Sequence, residues 1–265
     1  MPPFPNVKNF EDVQLRRFSL PNLANEFFCY DLSPLVDRFT LWACDAKQIP
    51  TEIRRQPQHL GLLSEDELLR WGEYCFEKDR DMFFVGRILI RSALSCCTEI
   101  HPSKWRLTNQ RFGKPEISFP SLDQQVDFNI SHSDGLVLCA VSQIGKIGID
   151  VESIVRPNIT ADMISFALSP REIQSVRTVA LRHLPFVFLR YWTLKEAYVK
   201  AVGYGLSLPP SDIDVLFSAS GAISCTINGR SEIDKAEWRF GQFRLFDRFI
   251  CSWARALDTA SESDI

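Results

Sequence analysis

Asp150 and Glu152 close the segment Ile147-Gly148-Ile149-Asp150-Val151-Glu152. In a strand, Ile147, Ile149 and Val151 point one way and both carboxylates the other. A spacing of roughly 7 Å along the strand suits two hard oxygen ligands converging on one Mg²⁺; a solvated strand face carries the same pattern. A second group lies in Trp192-Thr193-Leu194-Lys195-Glu196-Ala197-Tyr198-Val199-Lys200. At helical pitch Arg190, Thr193, Glu196 and Lys200 fall within an arc of about 120°, one polar face on an otherwise apolar helix. Glu196 and Lys200 also have the spacing of an ordinary surface ion pair.

Two shorter segments offer cations and hydroxyls. Arg111-Phe112-Gly113-Lys114-Pro115 sets a lysine between turn formers, which would fix its ammonium on a loop. Asn129-Ile130-Ser131-His132-Ser133 places a histidine and hydroxyls just before an expected strand, where a structural histidine fits as well as a functional one.

The elements that must position these residues follow from local signals. Phe39 to Cys44 has strand composition. Ser64 and Glu67 stand in capping-box spacing and predict a helix running to about Cys97, broken near Lys78. Leu136 to Val141 and Lys146 to Glu152 read as a hairpin joined at Gln143-Ile144-Gly145. Ser169-Pro170-Arg171-Glu172 marks a helix start, and a further helix runs from about Pro185 to Val202, where Gly203 and Gly205 end it. Alternating segments around Ile223, Trp238, Phe243 and Phe249 to Trp253 predict a closing antiparallel sheet.

Strands and a long helix thus occur twice, predicting an α+β protein of two similar lobes. The boundaries are an N-terminal extension over 1–36, an N-terminal lobe over 37–143, a C-terminal lobe with the acids over 144–258 and a tail over 259–265. The chain has 265 residues, 45% of them hydrophobic, enough for a substantial core. Its net charge of −3 gives no general attraction to nucleic acid. The eight cysteines show no metal-binding spacing and read as reduced thiols. No signal peptide or bilayer-spanning run is present, which predicts a cytoplasmic protein without a membrane partner.

In order and spacing these segments resemble the 4′-phosphopantetheinyl transferases of the two-lobed, Sfp type, which include the eukaryotic aminoadipate-semialdehyde dehydrogenase phosphopantetheinyl transferases. The family's G-[IV]-D-[IVL]-E strand is matched by Gly148 to Glu152, its W-[ST]-x-K-E-[AS]-[FY]-x-K helix by Trp192 to Lys200, its Asn-[FI]-Ser-His segment by Asn129 to His132, and its Gly-Lys-Pro turn by Gly113 to Pro115. Gly86 to Arg91 (GRILIR) resembles the first-lobe helix. The likeness covers about Ser64 to Asp214. Where some relatives place two lysines, this chain has Glu67 and Arg70.

The resemblance implies the pseudo-twofold fold of that family and a Mg²⁺-dependent transfer of 4′-phosphopantetheine from coenzyme A to a serine of a carrier protein, releasing 3′,5′-ADP. Asp150, Glu152 and Glu196 would surround Mg²⁺, or Mn²⁺, in a cleft between the lobes. Glu196, Lys200 and Asp150 would be catalytic, with Glu196 taking the serine proton directly or through water. Arg70, Arg111, Lys114, Asn129, Ser131, His132, Lys195 and Lys200 would hold the coenzyme. Partners would be apo acyl or peptidyl carrier domains of fatty acid, polyketide, non-ribosomal peptide or aminoadipate reductase systems, met by a monomer. Residues 171–200 carry Lys or Arg at 171, 177, 182, 190, 195 and 200 against acids at 172 and 196, a basic stretch suited to an acidic carrier or to a solvated helix face. Two other functions use part of this pattern: a silent protein that binds coenzyme A or a carrier, and an unrelated Mg²⁺ phosphohydrolase.

Overall fold

The computed structural model describes residues 6–7, 14–18, 27–36, 38–109, 113–155, 157–227 and 237–257. Its strands are β1 (Asn6–Val7), β2 (Gln14–Phe18), β3 (Phe27–Asp31), β4 (Thr40–Asp45), β5 (Arg106–Asn109), β6 (Pro115–Phe119), β7 (Asp127–Ser133), β8 (Leu136–Ser142), β9 (Ile147–Ser153), β10 (Ile213–Phe217), β11 (Ile223–Ile227), β12 (Trp238–Leu245) and β13 (Phe249–Ala256). Its helices are α1 (Thr51–Arg55), α2 (Glu65–Glu73), α3 (Glu77–Thr98), α4 (Ala161–Ala167), α5 (Pro170–Val176) and α6 (Leu184–Val202). Mixed helix and sheet make this an α+β protein. Two compact units result, one of residues 10–143 and the other of residues 1–9 with 144–265.

In the unit of residues 10–143, a five-stranded sheet runs β2-β3-β4-β8-β7, antiparallel throughout. The long helix α3 packs on β8 and β4 and buries Phe84, Val85, Ile88 and Leu89 with Trp42 and Val137. Gly86 makes the contact with β7 close, because a Cβ there would stand 2.9 Å from Cδ1 of Ile130. The capping box of Ser64 and Glu67 starts α2, and the chain breaks at Tyr74 and Phe76, both extended, before α3 begins. Glu67 also anchors α3 from outside it. Arg91, fully buried, donates to its Oε2 at 2.7 Å, and Arg87 stands 3.5 Å from its Oε1.

In the other unit the sheet runs β1-β12-β13-β9, with β1 parallel to β12 and the other pairs antiparallel. The helix α6 lies on β9 and β13, burying Phe188, Leu189, Leu194 and Tyr198 against Ile250 and Ala254. Gly203 ends it with a φ of 77°, the left-handed conformation that a C-terminal cap requires. Ser169 and Glu172 form the expected capping box on α5.

Two expectations are corrected. The segments around Leu136 and Lys146 are not a hairpin: β8 pairs with β4 and β7, whereas β9 pairs with β13 in the other sheet. The turn between them is the link between units. Gln143 Nε2 donates to the Cys97 carbonyl in one, and Ala256 N–H donates to the Lys146 carbonyl in the other. Residues 1–36 are also more than an extension, since they contain β1, β2 and β3, each paired into a sheet. Strands this short are hidden in a composition window dominated by proline and asparagine. The expected tail, 259–265, lies outside the described residues. No disulfide joins the cysteines, and among the described residues no helix is long and apolar enough to cross a membrane.

Candidate functional site

Strand β9 is held in register by β13, with Gly148 opposite Ala254, Asp150 opposite Ser252 and Glu152 opposite Ile250. Gly148, Asp150 and Glu152 share the face that meets α6. The helix comes so near that a Cβ at Gly148 would stand 1.9 Å from the Ala197 carbonyl oxygen and 2.5 Å from the Ala201 nitrogen. Only a glycine permits that approach. It brings the Glu196 and Lys200 positions over the acids.

The electrostatics show the convergence. Lys200 Nζ donates to Oδ1 of Asp150 at 2.6 Å, and Asp150 is only 4% exposed. Burial raises the Glu196 carboxyl above its ordinary range, Asp150 raises it further and Glu152 adds a smaller push, while Lys200 pulls the other way. Asp150, Glu152 and Glu196 therefore act on one another within a single unit. Their oxygens are the hard donors a divalent cation takes, and such an ion would relieve the repulsion felt at Glu196. They are not closed into a finished coordination shell: among the described residues no group of three or more His, Cys, Asp or Glu is spaced to hold an ion. Lys200 supplies the positive charge.

The remaining polar face of α6 is buried on the same sheet. Thr193 Oγ1 lies 2.7 Å from Ser252 Oγ, Arg190 Nε donates to Gln242 Oε1 at 2.7 Å, and Gln242 Nε2 donates to Ser252 Oγ at 2.9 Å. Gln242, Ser252 and Asp150 are successive neighbours across β12, β13 and β9. The row continues from buried neutral groups to the acid.

The unit of residues 10–143 has its own recess, of about 250 Å³, lined by Phe83, Gly86, Arg87, Gly113, Ile130 and His132 among others. Guanidinium groups of Arg70 and Arg87 stand 5.7 and 4.9 Å from the centre of the Phe83 ring. Burial lowers the Arg87 pKa, Glu67 opposing.

The family model of the 4′-phosphopantetheinyl transferase superfamily matches residues 146–254, and that of the 4′-phosphopantetheinyl transferase N-terminal region matches 52–144. The 4′-phosphopantetheinyl transferase HetI of Nostoc sp. is 34% identical over 180 residues, which are 67% of this chain and 73% of that protein. The chain belongs to the 4′-phosphopantetheinyl transferase superfamily. Sfp of Bacillus subtilis is 28% identical over 66% of this chain and 75% of its own. The L-aminoadipate-semialdehyde dehydrogenase-phosphopantetheinyl transferase of Mus musculus is 25% identical over 77% and 70%.

In this transferase several sequence-based assignments change. Lys195, expected at the coenzyme, is fully buried, and its ammonium reaches the Glu172 carboxylate and the Ala167 carbonyl. One residue before Glu196, it leaves the helix about 100° away and serves the capping box of α5. Asn129 and Ser131 are buried members of β7 rather than of a loop. Alternation sets them opposite His132, which reaches the recess. Lys114 Nζ is held at 3.0 Å from each carboxylate oxygen of Asp127. Arg111 lies outside the described residues. Sequence reasoning missed Arg87 as a lining residue, although it lies in the GRILIR segment, and missed Gln242 and Ser252, which stand in no motif.

Proposed function

We propose that this transferase takes the phosphopantetheine arm of coenzyme A and places it on a serine of an apo acyl or peptidyl carrier domain, releasing 3′,5′-ADP. The observation that carries this reading is the meeting of Glu196 and Lys200 on α6 with Asp150 and Glu152 on β9, made close by Gly148.

Asp150, Glu152 and Glu196 would hold Mg²⁺ or Mn²⁺. That ion, when bound, neutralises charge on the coenzyme's diphosphate. Glu196 accepts the proton of the serine hydroxyl, directly or through water. The serine oxygen then bonds to the phosphorus that bears the pantetheine, and the bond from that phosphorus to the bridging oxygen breaks. Charge develops on the departing bisphosphate, where the Lys200 ammonium is a stabilising donor. The recess lined by Arg87 and His132, with Arg70 outside its lining but on the same Phe83 ring, takes the adenosine end, the guanidinium groups meeting phosphate and the Phe83 ring the base.

The acidic carrier meets the stretch after Thr160, where Met163 and Phe166 on α4 are exposed and Arg171 and Arg177 follow as exposed cations. The enzyme works as a cytoplasmic monomer. Incubation with coenzyme A, Mg²⁺ and an apo carrier, followed by mass measurement of the carrier, tests the proposal. A gain of one phosphopantetheine supports it. Binding of coenzyme A without added mass marks a silent binder, and release of phosphate without carrier modification marks a hydrolase.

A further inference from the structure

A second recess, of about 1140 Å³, opens among α5, α6, β10 and the turn after β10. All its lining residues belong to the unit that contains the acids, yet Asp150, Glu152, Glu196 and Lys200 are not among them. Its walls carry Arg171, His183, Arg190 and Arg244 against one carboxylate, Glu172. That carboxylate is already engaged by Lys195 and by the backbone N–H groups of Ser169 and Val215. The lining is therefore cationic, with Arg171 and Arg244 also meeting carboxylates outside it, Asp214 at 3.8 Å and Asp247 at 3.3 Å, and Arg190 meeting the neutral Gln242.

Two of those guanidinium groups are built into aromatic walls. Arg190, 3% exposed, stands 4.5 Å from the centre of the Phe217 ring. Burial lowers its pKa to about 10, so an anion brought to it would restore solvation that folding removed. Arg244 stands 5.7 Å from the centre of the Phe186 ring; its Nη2 donates to the Asp247 carbonyl at 3.2 Å and lies 3.3 Å from the Asp247 carboxylate, while its Nε is buried with no hydrogen-bond partner. Buried donors of this kind find partners in folded proteins or in what those proteins bind. Val187, Tyr191 and Leu216 add apolar surface between them.

We propose that this recess is a binding site for a small ligand with an anionic head on a flat apolar body, the head held by Arg190 and Arg244 and the body laid on Phe217 and Phe186. A planar guanidinium matches a carboxylate or a phosphate through paired N–H donors, and an aromatic wall accepts a flat body by stacking. The volume suits a ligand of that size. Neither the acids nor the recess with His132 contributes to the site, while Arg171 in its wall also belongs to the face proposed for the carrier.

The test is titration calorimetry of the full chain with 2-naphthoate, with 2-naphthyl phosphate and with the neutral 2-naphthamide. One or both anions should bind with 1:1 stoichiometry, and the preferred one identifies the head as carboxylate or phosphate. The amide should bind at least about tenfold more weakly. Arg244→Gln, on a partly exposed side chain that leaves Arg190 and its buried bonds in place, should weaken the anions by about tenfold, and Phe217→Ala should weaken all binding. Saturating coenzyme A should not displace the probe. The proposal is overturned by absence of saturable anion binding, by equal affinity for the amide, by displacement with coenzyme A, or by unchanged affinity in both variants.

Discussion

The ammonium of Lys200 and the carboxylate of Asp150, fifty residues apart in the chain, meet at 2.6 Å. Helix α6 contributes the first and strand β9 the second, and the pair stands beside Glu196. The bond matters both to the fold and to transfer. Lys200→Met should lower stability by about 1.5–3 kcal/mol, because it leaves a buried carboxylate without its charged donor. Transfer to an apo carrier should fall by at least about a hundredfold, since one stabilising cation is lost at the diphosphate. Urea unfolding and carrier mass measurement read the two effects; full transfer in this variant would remove Lys200 from the chemistry.

Glu196 gives a pH-dependent signature. Its pKa is raised in the folded state, chiefly by burial and then by Asp150. Between the unfolded value, about 4.3, and the raised folded value, the native state binds more protons than the unfolded state, so stability falls as pH rises through that window. Glu196→Gln removes the charge and keeps the shape. In metal-free protein it should therefore unfold at higher urea than wild type at pH 7, with the difference gone near pH 3, where the wild-type carboxyl is protonated in both states. Transfer should be lost, as in Asp150→Ala. Identical urea midpoints for Gln and Glu at pH 7 would show that the acid cluster imposes no such cost.

How much of this was legible depends on which partner each residue meets. The alternation of Ile149, Asp150, Val151 and Glu152 and the spacing of Glu196 and Lys200 gave the faces correctly, because strand and helix periods are local properties. Periodicity does not say what a polar face meets. Arg190 and Thr193 matched a solvated stripe, yet they are buried on Gln242 and Ser252, between 49 and 59 residues away in the chain. Gly148 occupies a motif position, but the reason for glycine there is the backbone of Ala197 and Ala201, which only the fold brings near. Lys195 is the plainest miss: a lysine inside a catalytic motif gives no sign that it is buried on Glu172.

That miss makes Lys195 a structural prediction. Lys195 and Glu172 are both essentially inaccessible to water. Burial pushes the carboxyl up and the ammonium down, and each is pulled back by the other's charge. Lys195→Met strands the carboxylate and should cost about 3–5 kcal/mol. Adding Glu172→Gln should recover part of that loss, since it removes the stranded charge, while the single amide oxygen can accept from only one of the Ser169 and Val215 N–H groups that the two carboxylate oxygens serve separately. Refolded single and double variants should keep the wild-type KM for coenzyme A. A raised KM with unchanged stability would return Lys195 to the coenzyme.

Gly148→Ala tests whether the closeness of α6 and β9 is needed. The new Cβ cannot coexist with the Ala197 carbonyl at 1.9 Å, and the obstacle is backbone, so the helix itself must move. The variant should lose about 3 kcal/mol of stability. At temperatures where it remains folded, transfer should drop about a hundredfold, the usual effect of an ångström-scale displacement at a reacting centre. Wild-type transfer in a folded Gly148→Ala protein would mean that the acids work without this contact.

Carrier encounter can be separated from chemistry by salt. Arg177 is exposed at the end of α5, and Arg171 is exposed at its start, 3.8 Å from the Asp214 carboxylate. Because Arg171→Glu would also set like charges side by side, Arg177→Glu is the cleaner variant and the double charge reversal the stronger. At low ionic strength the double variant should show an about tenfold higher KM for an acidic carrier, with kcat unchanged, because steering acts on association and not on the bound complex. Near 0.5 M salt the two enzymes should converge, as screening shortens to less than the separation of exposed charges. A rate equal to wild type at low salt would move the carrier to another face, and a lowered kcat at saturating carrier would mean that these arginines shape the bound complex rather than its formation.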